Sequence, residues 1–389
     1  MRRREWFVIP ALILAFVMWS VFGALTTVGN EGFSAKWADW LRSHHAAFLA
    51  NDLERAYYNM HAPKKGGAPK ALNALPKTSP TAAPASNPLR ANTAQGPTST
   101  TTQGPVHLPA PSPVPLLVSP ALPGEGQWQP VGPLVNGVSG MYEAQFRADD
   151  VYTSEITSAV WIDPTLMDVS LIPGQSEPGG TWTHPPYVTP TELPTIAAAF
   201  NGGFRFADAQ GGFYLDGVTA VPLVAGAASM VIYSNGKIDI GAWGTEVTMT
   251  PEVVAVLQNL VPMVDNGVVA AAATYNDTSV WGATLGASTV VARSGIGVTA
   301  QGALVYVAGP ALTARTLAEA LQRAGAVRAM TLDINPEWVT FNFFSHLDPT
   351  NPSTITSASL YPDMGRPATR YLGPADESRD FFEVAAPVG

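Results

Sequence analysis

The dipeptide Asn235-Gly236 sits between two apolar-rich runs, ASMVIY before it and KIDIGAW after it. A two-residue hairpin turn needs positive φ at its central positions, and Asn and Gly reach it at least cost. The device recurs along the chain. Asp216-Gly217 divides GGFYL from VTAVPL, and Gln301-Gly302 divides ARSGIGVTA from ALVYVAG. Two further runs, TSAVWI and LMDVSLI, flank Asp163-Pro164 and read as strands. A sequence punctuated in this way folds largely as hairpins.

Helix signals are fewer. Thr313 precedes ARTLAEALQRAG, which places Leu317, Ala320, Leu321 and Ala324 on one face and ends at Gly325. Thr250-Pro251-Glu252 carries an N-cap residue, a proline at the first position and an early acid, which predicts a helix through Leu260. The fold class expected for residues 134–389 is α+β. Its core is a mixed β-sheet with β-hairpins and two or three inserted helices.

Upstream the texture differs. Trp6 to Val28 carries no charge and follows Arg2-Arg3-Arg4. About 20 apolar residues span a bilayer as a helix, and the arginines place the N-terminus in the cytoplasm. Residues 1–32 are therefore expected to be a cytoplasmic cap and transmembrane signal anchor, with the rest of the chain extracytoplasmic. A cleaved signal peptide is the alternative, for which the apolar run is long and Ala24-Leu25-Thr26 a poor cleavage site. Residues 33–62 are expected to form a juxtamembrane amphipathic helix. Phe33, Trp37, Trp40, Leu41, Phe48 and Leu49 recur at helical spacing. It would lie on the membrane, pair with a copy of itself or pack on the folded domain. His44 and His45 are neighbours about 100° apart on a helix and are poorly placed to chelate one ion. Residues 63–133, rich in Pro, Ala, Thr, Ser and Gly, bury too little apolar surface to order and are expected to be a disordered linker.

Composition removes several classes of function. The formal net charge of −9 argues against a nucleic-acid partner. The chain has no cysteine, which excludes disulfides and thiolate chemistry. HExxH, GxSxG, P-loop and dinucleotide-binding patterns are absent, and neither a metal nor another cofactor is expected.

In order along the chain stand AAFNGGF (198–204), GGFYLDG (211–217), NLVPMVDNG (259–267), ARSGIGVTAQGALVYVAG (292–309) and AMTLDIN (329–335). This series resembles the phosphodiester glycosidase family over roughly residues 150–345. The resemblance implies hydrolysis of a sugar–phosphate diester. Asn201, Gly202 and Gly203 match one family motif, and Arg293 with Ser294-Gly295-Ile296-Gly297 matches a second. Of the third, Leu332-Asp333 is present, whereas Ile334-Asn335-Pro336 replaces glycines that permit close ligand approach.

On this reading Arg293 anchors the phosphate through a bidentate guanidinium contact. The turn at Asn201-Gly202-Gly203 offers backbone N–H groups to an anion. Cleavage of a sugar–oxygen bond builds positive charge on the ring and calls for carboxylates. Asp333 is the first candidate. Asp216 and Asp265 compete for the second place, with Glu337 as a substitute acid. Asn266, Gly267 and Asn335 complete the expected substrate-binding set. Asp216-Gly217 and Asn266-Gly267 also have an ordinary reading as turns. The expected function is a membrane-anchored hydrolase of a glycosyl phosphodiester in a bacterial cell envelope. The alternative is a non-catalytic protein on the same fold that binds an envelope glycan or a phosphate. The oligomeric state is not legible.

Overall fold

The computed structural model describes residues 8–28, 32–60, 62–69, 71–75, 107–282, 288–346, 351, 354–375 and 377–387. Three helices open the chain: α1 (Val8–Thr26), α2 (Phe33–Ser43) and α3 (Ala47–Met60). Strands β1 (Gln129–Val135), β2 (Val138–Phe146), β3 (Thr157–Ile162), β4 (Asp168–Ile172) and β5 (Ile196–Asn201) follow. The short helix α4 (Phe206–Ala209) leads to β6 (Phe213–Leu215), β7 (Val218–Val221), β8 (Ala228–Tyr233), β9 (Ile238–Ala242) and β10 (Val253–Gln258). Next come β11 (Val264–Asp265), β12 (Val268–Val269), α5 (Ala271–Thr274) and α6 (Thr278–Trp281). The remainder is β13 (Val291–Thr299), β14 (Leu304–Leu312), α7 (Ala314–Arg323), β15 (Ala326–Thr331), β16 (Phe341–His346), β17 (Ile355–Ser359) and β18 (Phe381–Ala385).

The strands form three sheets. One runs β1-β2-β3-β14-β13-β15-β11-β12, a second β7-β6-β10-β8-β9, and a third β17-β16-β5-β18-β4. The α+β class holds. The paired strands are antiparallel, and parallel geometry occurs at the isolated bridges Gly174–Pro178 and Trp243–Val247. The hairpins expected at Asp216-Gly217, Asn235-Gly236 and Gln301-Gly302 join β6 to β7, β8 to β9 and β13 to β14. Helix α7 starts as its sequence predicts. The Thr313 hydroxyl accepts from the Thr316 amide, and the Thr316 side chain accepts in return from the Thr313 amide. Leu317, Ala320 and Leu321 are buried against the first sheet.

The helix expected from Thr250 to Leu260 is instead strand β10, paired on one side with β6 and on the other with β8. The run Val253-Val254-Ala255-Val256-Leu257 is rich in β-branched residues, and two partner edges override a capping signal at its start. Thr250-Pro251-Glu252 forms the turn into the strand, where the Val253 amide donates to the Thr250 carbonyl.

The amphipathic stretch 33–62 divides at His44-His45, where His45 takes φ 61° and breaks the helix. Helix α2 folds back along α1. Trp40 packs edge-on against Trp19, and the Trp37 indole donates to Ser20 Oγ. The other end of this contact is the folded domain, because the buried Arg366 Nη2 donates to Asp39 Oδ2 at 2.9 Å. Helix α1 is long and apolar enough to cross a membrane by length and composition. Of the stretch expected as linker, residues 76–106 lie outside the described residues. From residue 107 on the chain lies against the domain. Val114 is buried, and Arg147 donates to both carboxylate oxygens of Glu125 at 2.9 and 2.7 Å.

The largest core cluster fills the space where the three sheets meet. Phe200 of β5 lies there among Tyr306, Phe341 and Phe382, with ring centroids 5.1–5.6 Å away. Phe200→Ala is expected to lower stability by about 3–5 kcal/mol, read as a fall in the urea midpoint with unchanged slope.

Candidate active site

Asn201, at the last position of β5, is the junction of the site. Its Oδ1 accepts from the Tyr306 hydroxyl (2.9 Å), the Thr340 amide (3.1 Å) and Ser294 Oγ (3.3 Å). Its Nδ2 lies 2.8 Å from the Gly202 carbonyl and 3.1 Å from Ser294 Oγ. The side-chain amide is thereby used within the protein. Ser294 extends the junction to β15. Its amide donates to the Asp333 carbonyl at 2.8 Å, and Ser294 Oγ accepts from the Asp333 amide at 3.2 Å. Alternation along β13 turns Ser294 toward Asn201 and its neighbours Arg293 and Gly295 the other way.

Asp333 is 3% exposed and lines a cavity of about 470 Å³. Its Oδ1 accepts from the Ile334 and Asn335 amides, both at 2.8 Å. Its Oδ2 accepts from Arg379 Nη2 at 2.6 Å. Burial pushes the carboxyl up, and the Arg379 charge opposes that shift. Arg379 lies over the face of Trp338, 3.9 Å from the ring centroid. Its Nε has no hydrogen-bond partner among the described residues.

Asn335, Ile334 and Pro336 line the same cavity, with Phe204, Arg205, Asp208 and Trp338. Helices α2 and α3 contribute Arg42 and Asn51 to its wall. The cavity therefore holds three arginines against two aspartates, in a chain that is 13% charged and net negative.

The two glycines after Asn201 have a steric explanation. A Cβ on Gly202 would fall 1.9 Å from Asp380 Oδ2, and one on Gly203 would lie 3.2 Å from Asn259 Cγ. Asn259 in turn donates to the Thr331 and Leu332 carbonyls at 3.0 and 2.9 Å, holding the approach to Asp333. Asp380 is buried, and both its carboxylate oxygens lack hydrogen-bond partners among the described residues. Burial pushes its carboxyl up to about 7.

Arg293 is 1% exposed. Its Nε donates to the Leu312 carbonyl at 3.0 Å and its Nη2 to the Thr289 carbonyl at 3.2 Å. Nη1 has no partner among the described residues, and burial pulls the guanidinium down to about 10. Arg293 is not among the residues lining the cavity. Asp216 and Asp265 are exposed and do not line the cavity, Asp216 standing in a hairpin turn and Asp265 at the end of β11. Asp216 has φ 48° in the β6–β7 turn, and Asn266-Gly267, with φ 47° and 74°, joins β11 to β12. Positive φ at consecutive residues is what such a hairpin requires, which accounts for Asp216-Gly217 and Asn266-Gly267 as turns. Glu337 pairs with Arg366 at 3.4 Å.

Arg379, Asp380, Asn259 and Trp338 escaped the sequence reading. Arg379-Asp380 was visible as a charge pair directly before the apolar run of β18 in a charge-poor chain. Asn259 opens the NLVPMVDNG motif, eight residues before the turn glycine Gly267.

Residues 194–333 match the family model of the phosphodiester glycosidases, and the resemblance read from the motifs holds there. No curated protein matches the chain. Among solved structures, the catalytic domain of zebrafish N-acetylglucosamine-1-phosphodiester alpha-N-acetylglucosaminidase, auto-inhibited by its pro-peptide, is 15% identical with a TM-score of 0.41. That alignment covers 67% of this chain and 88% of that one. A hypothetical protein from Synechocystis is 13% identical with a TM-score of 0.36, covering 66% of this chain and 64% of the other.

Gly202→Ala is expected to destabilise the protein by about 1–3 kcal/mol. The loss should shrink in the Gly202→Ala/Asp380→Ala double variant, and strict additivity in urea denaturation would contradict the steric account. Asp380 also sets a pH dependence. The folded chain keeps a proton up to about pH 7 that the unfolded chain releases near the ordinary value of 3.8, so stability falls as pH rises between them. Asp380→Asn removes that term. Its stability relative to the unchanged protein is expected to be greater at pH 8 than at pH 5 in paired urea melts.

Proposed function

We propose that this protein hydrolyses a glycosyl phosphodiester, with Asp333 as the carboxylate that faces the sugar. The observation that carries the reading is the Asp333–Arg379 pair on the cavity surface, which sets an acid and a phosphate-binding cation side by side. The match of residues 194–333 to the phosphodiester glycosidases supports it.

Positive charge grows on the anomeric carbon as the sugar–oxygen bond breaks, and a buried carboxylate at low dielectric stabilises it. Arg379 holds the Asp333 carboxylate in place and keeps N–H capacity for a phosphate oxygen. Arg205 and Arg42 add positive charge around the leaving phosphate. Arg293 is proposed as a second anion anchor. A buried guanidinium without a carboxylate partner among the described residues is costly unless an anion approaches. Asn201 acts as a positioning residue, because it fixes Ser294 and through it Asp333. Asn335 lines the substrate space, whereas Asp216, Asp265, Asn266 and Gly267 have no role in this scheme.

Helix α1 is proposed to anchor the protein in a bacterial cell membrane, with residues 107–387 outside the cytoplasm and the substrate an envelope glycan. The Asp39–Arg366 pair and the Arg42 and Asn51 side chains would then keep the cavity close to the anchor. A second reading, binding without turnover, is favoured by one observation. Ile334 and Pro336 occupy the cavity wall where the family motif has glycines, which narrows backbone access.

The test is a panel of chromogenic sugar phosphodiesters with the full chain in detergent. Asp333→Asn is expected to lower kcat by about 10²–10³, and Arg293→Ala and Arg379→Ala to lower kcat/KM by about 10² or more. Saturable binding by the unchanged protein with no release of chromophore would instead establish the second reading.

A further inference from the structure

His184, Glu192 and Glu383 lie apart from the cavity residues, each offering one ligand atom, and these atoms fall within 4.8 Å of one another. His184 and Glu192 come from the loop between β4 and β5. Glu383 projects from β18, opposite Ser170 on one side and Ala199 on the other.

The protonation of His184 follows from its neighbours. Nδ1 lies 2.7 Å from the Pro185 carbonyl, which can only accept, so Nδ1 carries a proton. Nε2 lies 2.6 Å from Glu192 Oε1, a proton-sharing contact whose place a metal ion on Nε2 would take. An Nδ1–H fixed by a backbone carbonyl is what orients metal-ligating imidazoles, leaving Nε2 for the ion. Glu192 is itself held, because its Oε2 accepts from the Thr189 amide and hydroxyl, both at 2.6 Å.

Glu383 supplies an independent indication. The residue is 5% exposed, and its Oε1 has no hydrogen-bond partner among the described residues. No Lys or Arg forms an ion pair with it or with Glu192 among those residues. With an ion on Nε2 in place of the proton, the two carboxylates would match the charge of a divalent cation.

We propose that His184, Glu192 and Glu383 bind a divalent metal ion of the Zn²⁺ class. One imidazole nitrogen and two carboxylate oxygens suit that ion, with solvent completing its coordination. His184 and Glu192 remain about 30% exposed, which leaves a path for ion and water. The ion would tie the β4–β5 loop to β18, the strand that follows Arg379 and Asp380. Its role is to stabilise and position, and it stands independently of the glycosidase reading.

The experiment uses the full chain in detergent, stripped with EDTA, with Zn²⁺ alone as the probe in calorimetric titration and thermal melting near pH 7.5. One Zn²⁺ per chain is expected, with a rise in melting temperature on addition. His184→Ala and Glu383→Gln are each expected to weaken binding at least tenfold and abolish the rise, whereas His346→Ala leaves both unchanged. Metal-free Glu383→Gln should melt no lower than the unchanged protein, since it removes a buried unpaired carboxylate. His184→Gln serves as a second variant where either substitution impairs folding. Failure of Zn²⁺ to bind stoichiometrically, or equal binding by the His184 and Glu383 variants, would overturn the proposal and leave an imidazolium shared by two carboxylates.

Discussion

The bonds between Asn201 and Ser294 hold the rest of the site together. Asn201 closes a strand of the third sheet, and Ser294 lies within a strand of the first. Each buried polar atom at this contact would be expensive to leave unmatched. The network satisfies them by drawing in Tyr306, Thr340 and the Asp333 amide. With the Asp333–Arg379 pair, these bonds fix how the two sheets meet. The chain end of β15 that carries Asp333 inherits that precision.

The glycines around the junction obey the same constraint. Gly202 lies against the Asp380 carboxylate, and Gly203 against Asn259. Their small size lets three chain segments converge, and neither has the positive φ that would mark a conformational demand. An Asn-Gly-Gly sequence after an apolar strand reads locally as a turn. Here its composition reflects neighbours that are 55 to 180 residues distant in sequence, and a local reading has no access to them.

That distinction runs through the comparison of sequence and structure. The hairpins at Asp216, Asn235 and Gln301 and the capped helix at Thr313 were legible because their causes lie within a few residues. Strand β10 was misread because its cap-like start is local whereas its pairing with β6 and β8 is not. Within the site, Asp333, Asn201, Gly202 and Asn335 were reached through motif order, and the structure groups them. Arg379 and Asp380 lie about 46 residues beyond Asp333, outside the familiar series. Asp216 and Asn266 stand in hairpin turns, where an Asp-Gly or Asn-Gly pair carries the same letters whether it bends a hairpin or serves a ligand.

The Asp333–Arg379 pair is the point at which stability and the proposed activity part. A buried ion pair recovers little of the desolvation it incurs, and an apolar pair of similar volume often serves folding as well or better. The protein nevertheless packs this pair against Trp338 and leaves Arg379 Nε without a partner among the described residues. Arg293 and Asp380 repeat the pattern, each buried with polar atoms left over. Arg379 and Asp380 stand beside the junction, whereas Arg293 points to the opposite face of β13, against the Leu312 and Thr289 carbonyls. An anionic ligand with hydroxyl groups in the cavity would supply an acceptor to Arg379. Under the proposed activity, this leftover polarity would be preorganisation, a site arranged for a charge distribution that its ligand completes.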